Sequence, residues 1–196
     1  STRARLKSSW RKEANKMKSG LKIGVLAVQG AFIEHKRMLE SLGCECVELR
    51  KKSDICDIDG LVLPGGESTV QGKLLRELDM FDELKGRIAN GLPVLATCAG
   101  LILLASHISN DDNVYFDTLP VTVKRNAYGR QLGSFEATAR FDNSFDFTMT
   151  FIRAPYVEAI DDGKIVGVQY KNQIGLAFHP ELDDDTRIHE RFLEMI

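Results

Sequence analysis

The chain has 196 residues, 43% of them hydrophobic and 28% charged, and a net charge of −2; that is enough for one substantial core and short for two. Its apolar runs fall well short of the roughly 18 to 20 residues that cross a bilayer, and no charged segment leads into an apolar one as in an export signal, so a cytoplasmic protein is expected. Four cysteines (Cys44, Cys46, Cys56 and Cys98) in a chain this long read as thiols rather than disulfide staples, and no motif calls for a metal or a cofactor.

Residues 1–16 carry Arg3, Arg5, Lys7, Arg11, Lys12 and Lys16 against the single acid Glu13, which leaves the remainder acidic. Such an arm could touch nucleic acid or a membrane surface. The acidic remainder has no basic face interleaved with aromatics, so neither partner is expected. Met17 precedes "KSGLKIGVLAVQG"; residues 1–20 are read as an extension outside the fold, and 21–196 as a single domain.

From Leu21 onward strand-like and helix-like patterns alternate, the mark of parallel strands joined by crossover helices. "LKIGVLAVQG" reads as a buried first strand ending at Gly30. "AFIEHKRMLESLG" reads as a helix with Phe32, Leu39 and Leu42 inward and Gly43 as its stop. "CECVELR" is the second strand, and "DGLVLPGGES" the third, ending in Pro64-Gly65-Gly66. Leu74, Leu75, Leu78, Phe81, Leu84 and Ile88 recur at spacings of three and four, giving helical structure up to Asn90-Gly91. "LPVLATC" is the fourth strand, followed by a helix that His107 would end. Residues 113–178 then hold short β-rich segments between Asn, Asp and Gly turns, expected to extend the sheet with antiparallel or mixed strands. "DDDTRIHERFLEMI" closes the chain as a helix with Ile188, Phe192 and Ile196 on its inner stripe. The fold class is therefore α/β, with a mostly parallel central sheet extended by antiparallel strands.

In open α/β sheets ligands bind beyond the carboxyl ends of the strands, where loops converge and helix N-termini offer free N–H groups. Gln29-Gly30, Pro64 to Ser68 and Thr97 to Gly100 all fall at such ends. Cys98 has small residues two positions either side, Ala96 and Gly100, as in a nucleophile elbow. There the Ala99 N–H can meet a developing oxyanion, and the Gly65-Gly66 turn offers a second donor. The alternative is a buried core thiol, since cysteine is among the most buried residue types. A nucleophilic thiol needs a base. His189, among charged residues, reads as a solvated surface histidine; His107 lies at the wrong end of its helix, and His35 reads as a packing or interface residue. His179 ends "IGLAF", and in an extended segment Glu181, two residues on, would share its side and orient it.

These residues resemble a known family. "PGGEST" at 64–69, "TCAGLILLA" at 97–105, "RNAYGRQ" at 125–131, "FIRAP" at 151–155 and "FHPEL" at 178–182 look like the glutaminase subunits of pyridoxal 5'-phosphate synthase, which are class I, triad-type glutamine amidotransferases. The resemblance implies a flavodoxin-like three-layer sandwich and hydrolysis of L-glutamine to L-glutamate and ammonia. It makes Cys98 the nucleophile, His179 the acid and base, and Glu181 its orienting carboxylate. The oxyanion would sit on Gly66 and Ala99, and glutamine would be bound by Gly66, Glu67, Ser68, Arg125, Ile152 and Arg153. An arginine suits the α-carboxylate of the substrate; for Arg125 and Arg153 the alternative is a surface salt bridge. The implied partner is a synthase subunit with a (β/α)8 barrel that consumes the ammonia, with Gln29-Gly30 as the coupling element.

Two departures accompany the resemblance: Ala96 stands where the family has glycine, and the stretch from "FDNSFDF" to "YVEAIDDGKIVGV" is shorter by about a strand and a turn. Competing readings are a glutaminase of another pathway, disfavoured by "RNAYGRQ" and "FIRAP", and a non-catalytic binding module or cysteine sensor, disfavoured by an intact His179 and Glu181.

Overall fold

A computed structural model describes residues 20–126, 134–141, 145–158 and 164–196. The basic arm and the "RNAYGRQ" motif beyond Asn126 lie outside the described residues, as does part of the shortened stretch.

The core strands are β1 (Lys22–Leu26), β2 (Glu45–Leu49), β3 (Gly60–Leu63) and β4 (Val94–Thr97). Every residue of β3 and β4 is buried, the pattern of parallel strands covered on both faces. Between them run helices α1 (Phe32–Ser41), α2 (Ser68–Glu77) and α3 (Phe81–Ala89). Right-handed crossovers put α1 on one face of the sheet and α2 with α3 on the other, because the chain steps from β1 to β2 in one direction across the sheet and from β3 to β4 in the opposite one.

The apolar spacing from Leu74 to Ile88 runs unbroken, yet the helix is divided. Asp79 adopts a left-handed φ of 55°, its N–H bonds to the Arg76 carbonyl, and the Met80 N–H reaches back to Leu75 at 2.9 Å. This closes α2 with a C-terminal turn that buries Met80 completely before α3 begins.

The next helix, α4 (Ala99–Leu104), is short and entirely buried. It stops where Phe116 and Thr118 donate their N–H groups to the Leu103 and Leu104 carbonyls, and strand β5 (Ala105–Ile108) follows. His107 therefore lies on an exposed strand position rather than at a helix end. Six helical residues cover about 9 Å, too little for the crossover that a further parallel neighbour of β4 would need. The chain instead builds a second sheet in the order β10-β9-β6-β5 from β5, β6 (Leu119–Lys124), β9 (Tyr156–Glu158) and β10 (Lys164–Ile165). The hairpin of β7 (Ser134–Phe141) and β8 (Phe145–Ile152) stands as a third. Among the described residues, of the β-rich segments expected to extend the central sheet only β11 (Gly167–Tyr170) and β12 (Gln173–Leu176) do so. Among the described residues the central sheet runs β11-β12-β4-β3-β1-β2. β12 is parallel to β4, and β11 is antiparallel at the edge.

Helix α5 (Arg187–Leu193) buries Ile188 and Phe192 fully, whereas Ile196 lies past its end and is 40% exposed. His189, expected in solvent, is buried on α5 against His35 of α1. Its charged neighbours in sequence had masked an inward position next to Ile188.

Candidate active site

Parallel neighbours deliver the loops after β1, β3, β4 and β12 to one end of the sheet. Cys98 follows the strand between the other two that matter most: β3, which leads to Gly65 and Gly66, and β12, which leads to His179. Its backbone has φ 49° and ψ −103°, a conformation that L residues rarely adopt and that marks a tight strand-to-helix elbow. Gly100 permits the turn, since a Cβ there would lie 2.1 Å from the Leu63 carbonyl oxygen. Ala96 sits within β4, paired with Leu63 and Gly175. It is fully buried and absent from the left-handed positions, so its methyl group fits an ordinary strand site. The Cys98 N–H is held by the Leu176 carbonyl at 2.8 Å, and Sγ lies 3.8 Å from the Ile152 carbonyl oxygen.

His179 shares the cleft and the neighbourhood of Gly65 with Cys98, and its Nδ1 lies 2.7 Å from Glu181 Oε1. The expectation of an extended segment is corrected here: Pro180–Leu182 forms a 3-10 turn with His179 at its start. The turn still folds the Glu181 carboxylate onto the imidazole, while the His179 N–H is anchored on the Thr150 carbonyl at 2.8 Å. Burial opposes a charge on His179, but the bonds to Cys98 and Glu181 outweigh it and push its pKa up to about 10. For Glu181 burial also favours the neutral form, yet His35 and His179 beside it hold the carboxyl below its usual range.

The cleft above these residues encloses about 1100 Å³, room for a small amino acid with one side left open. Gly66, Glu67 and Ser68, Ile152 and Arg153, and Cys98, Ala99 and His179 all line it. Gln29, Gly30 and Arg125 line it as well, while the buried Glu181 lies behind His179, out of the cleft. The Gln29 side-chain oxygen accepts the Glu67 N–H at 2.8 Å, and the Ala31 N–H bonds the Gly65 carbonyl at 3.0 Å. The loop after β1 thus grips the loop that carries Gly66. Arg125 is ion-paired with both Asp111 and Glu67, the salt-bridge alternative for that residue. Arg153 is exposed, at a left-handed φ of 45°, and carries no ion pair among the described residues.

Three residues behind the cleft were not picked out as site residues. Gln71, fully buried, donates to the Gln29 and Pro64 carbonyls; Thr97 Oγ1 accepts the Gly65 N–H; and His35 meets Glu181, Thr97 and His189. A signal existed for His35, which shares the inward helical stripe of Phe32 and Leu39. Among the described residues no cluster of His, Cys, Asp or Glu could hold a metal ion.

Residues 25–196 match the model of the SNO glutamine amidotransferase family. The chain belongs to that family. It is 61% identical over 186 residues to the pyridoxal 5'-phosphate synthase subunit PdxT of Desulfitobacterium hafniense, covering 90% of this chain and 94% of the relative. It is 53% identical to the subunit of the same name from Methanocorpusculum labreanum, over 90% of this chain and 98% of the relative. A crystal structure of a glutamine amidotransferase superposes with a TM-score of 0.82 at 40% identity, over 88% of this chain and 97% of that one. PurLQS from Thermotoga maritima, at 15% identity and a TM-score of 0.64, shares the fold. This member of the SNO family thus has the expected α/β fold. Its sheet order β2-β1-β3-β4-β12 is the flavodoxin-like one, in which ligands sit beyond the strand ends.

Proposed function

We propose that the protein hydrolyses L-glutamine through Cys98, His179 and Glu181 and supplies the ammonia to a synthase subunit that makes pyridoxal 5'-phosphate. The observation that carries the mechanism is a cysteine held at an elbow of positive φ, in one cleft with a histidine that is itself bonded to a buried carboxylate. With its pKa near 10, His179 is an imidazolium at neutral pH and can stand beside a Cys98 thiolate. The thiolate attacks the side-chain amide carbon, and the oxyanion is received by the N–H groups of Gly66 and Ala99. Ala99 opens α4, so its N–H has no partner within the helix. His179 gives its proton to the departing nitrogen, and ammonia leaves a glutamyl thioester on Cys98. His179 then takes a proton from water, whose oxygen displaces the thiolate and releases glutamate.

For the amino-acid end, the exposed Arg153 guanidinium suits the α-carboxylate. Arg125 fixes Glu67 from behind, leaving carboxylate oxygen for the α-ammonium, while Gly66, Ser68 and Ile152 bound the space between. Two relatives carry the name of a pyridoxal 5'-phosphate synthase subunit, which supports delivery of the ammonia to a second subunit, read as a (β/α)8 barrel. Gln29-Gly30 is the coupling element, because it holds the loop that bears the Gly66 donor. The reading is tested by glutamate release from glutamine, with and without the synthase subunit, for wild type and Cys98→Ala. Turnover by wild type with the partner, abolished in Cys98→Ala, is expected; an inactive wild type with the partner present sinks it.

A further inference from the structure

A carboxylate has two oxygens, and His179 uses one. Glu181 Oε1 takes His179 Nδ1 at 2.7 Å, while Oε2 is buried with no hydrogen-bond partner among the described residues, and His35 Nε2 lies 3.3 Å from it. The same His35 nitrogen is 3.1 Å from Thr97 Oγ1. On the far side of the ring, His35 Nδ1 lies 2.8 Å from His189 Nε2. Both imidazoles are fully buried. The groups facing His35 are Glu181 and His179 from the loop after β12, Glu34 from its own helix, and His189 from α5. Burial, opposed by Glu181, lowers the pKa of His35, and burial together with His35 lowers that of His189.

One proton lies between the two rings, so one ring donates and the other accepts. Were His35 protonated on Nδ1, its Nε2 lone pair would face the Glu181 carboxylate in a water-free site. His189 would then carry its own proton on Nδ1, a buried N–H with no acceptor among the described residues. Orphaned buried N–H groups are rare because their desolvation is uncompensated. The opposite arrangement removes both conflicts. His189 donates from Nε2 and leaves only a bare lone pair on Nδ1; His35 accepts on Nδ1 and carries its proton on Nε2, 3.1 Å from Thr97 Oγ1 and 3.3 Å from the unpartnered Glu181 Oε2.

We propose that His35 is a positioning residue: a neutral Nε2–H imidazole, set by His189, that braces the second oxygen of Glu181 so that the first stays aimed at His179. A neutral donor is what the site needs. It replaces water on a buried anion without cancelling the charge that stabilises the His179 imidazolium. A cationic His35 would compete for that charge. The proposal rests on the reading of Cys98, His179 and Glu181 as the reacting set.

The first test needs no variant. Correlation of imidazole ¹⁵N and ¹H in the wild-type chain at pH 7 should show His35 and His189 both neutral and both protonated on Nε2. A proton on His35 Nδ1 at that pH overturns the proposal. The second test is kinetic, with the synthase subunit present. His35→Leu should lower kcat about ten-fold with KM changed less than about two-fold, and the acid limb of the kcat profile should move to higher pH as Glu181 loses a donor. His35→Gln, whose amide N–H can reach toward the Nε2 position, should recover most of kcat and return the limb. An unmoved limb in His35→Leu, or equal losses in both variants, overturns the proposal. Glu181→Gln separates the layers: wild-type turnover there refutes the triad reading itself, whereas impairment there without impairment in His35→Leu refutes only the role of His35.

Discussion

Gly65 lies beside His179, the proposed base, and replacing it by alanine tests how tightly that ring is confined. A methyl group at Gly65 would stand 2.3 Å from His179 Cε1 and 2.9 Å from Nδ1, where ordinary contact begins at 3.4 Å. The backbone of Gly65 is not left-handed, so alanine meets no conformational barrier and the whole cost falls on the contact. The imidazole must retreat by about 1 Å, a displacement that can cost about 100-fold in rate when reacting groups lose alignment. It has nowhere to go without stretching the 2.7 Å bond to Glu181 or leaving Cys98, and loss of a hydrogen bond to a charged group is worth about 1.5 to 3 kcal/mol. Gly65→Ala should therefore fold with a lowered Tm and release glutamate about 100-fold more slowly at saturating glutamine and saturating synthase subunit. KM should move little, because the methyl points at His179 and Cys98 rather than at Glu67, Ser68 or Arg153. A folded Gly65→Ala protein with kcat within about three-fold of wild type would refute the confinement of the base as described.

A glutamine-like electrophile should label Cys98 ahead of Cys46, whose thiol burial pushes up to about 12, and glutamine should protect Cys98; mass spectrometry of the digested protein reads this, and equal labelling would contradict it. Arg153→Ala should raise KM for glutamine about ten-fold or more with a smaller change in kcat, as expected for loss of a carboxylate anchor. Gln29→Ala should weaken stimulation by the synthase subunit several-fold while leaving Tm within a few degrees, since it frees the Glu67 N–H beside Gly66, the proposed oxyanion donor. The buried His35 and His189 have folded pKa values below the unfolded value of about 6.5. Their stabilising contribution is complete above that pH and declines as pH falls, by up to about 1.4 kcal/mol per pH unit for each ring. His189→Gln should accordingly flatten the loss of stability between pH 6.5 and 5 in denaturant titrations. His179, with its pKa raised, acts in the opposite direction: its contribution is full below about 6.5 and is lost as pH rises through about 10.

Local pattern was enough for the parts of this protein that depend on local forces. The continuous apolar runs of β3 and β4 specify strands buried on both faces, Gly30 and Gly43 mark turns that take positive φ, and the small residues around Cys98 specify an elbow that places its side chain at a cleft. His179 and Glu181 could be paired from their spacing, although by a 3-10 turn rather than an extended segment. Long-range packing decided the rest. Asp79 splits one apolar stripe into two helices because the Met80 side chain finds a buried site. The shortness of α4 sends the following strands into sheets of their own, so among the described residues only β11 and β12 reach the central one. The sequence places Arg125 in a binding motif, but whether it meets substrate or an acid depends on Asp111 and Glu67 approaching from different loops. His189 is read as a surface residue from its charged neighbours, and becomes an interior one only because α5 docks on α1. Periodicity records which face of an element is apolar; which polar groups meet behind that face is set by residues far apart in the chain, as when His35 and His189, 154 positions apart, come within 2.8 Å.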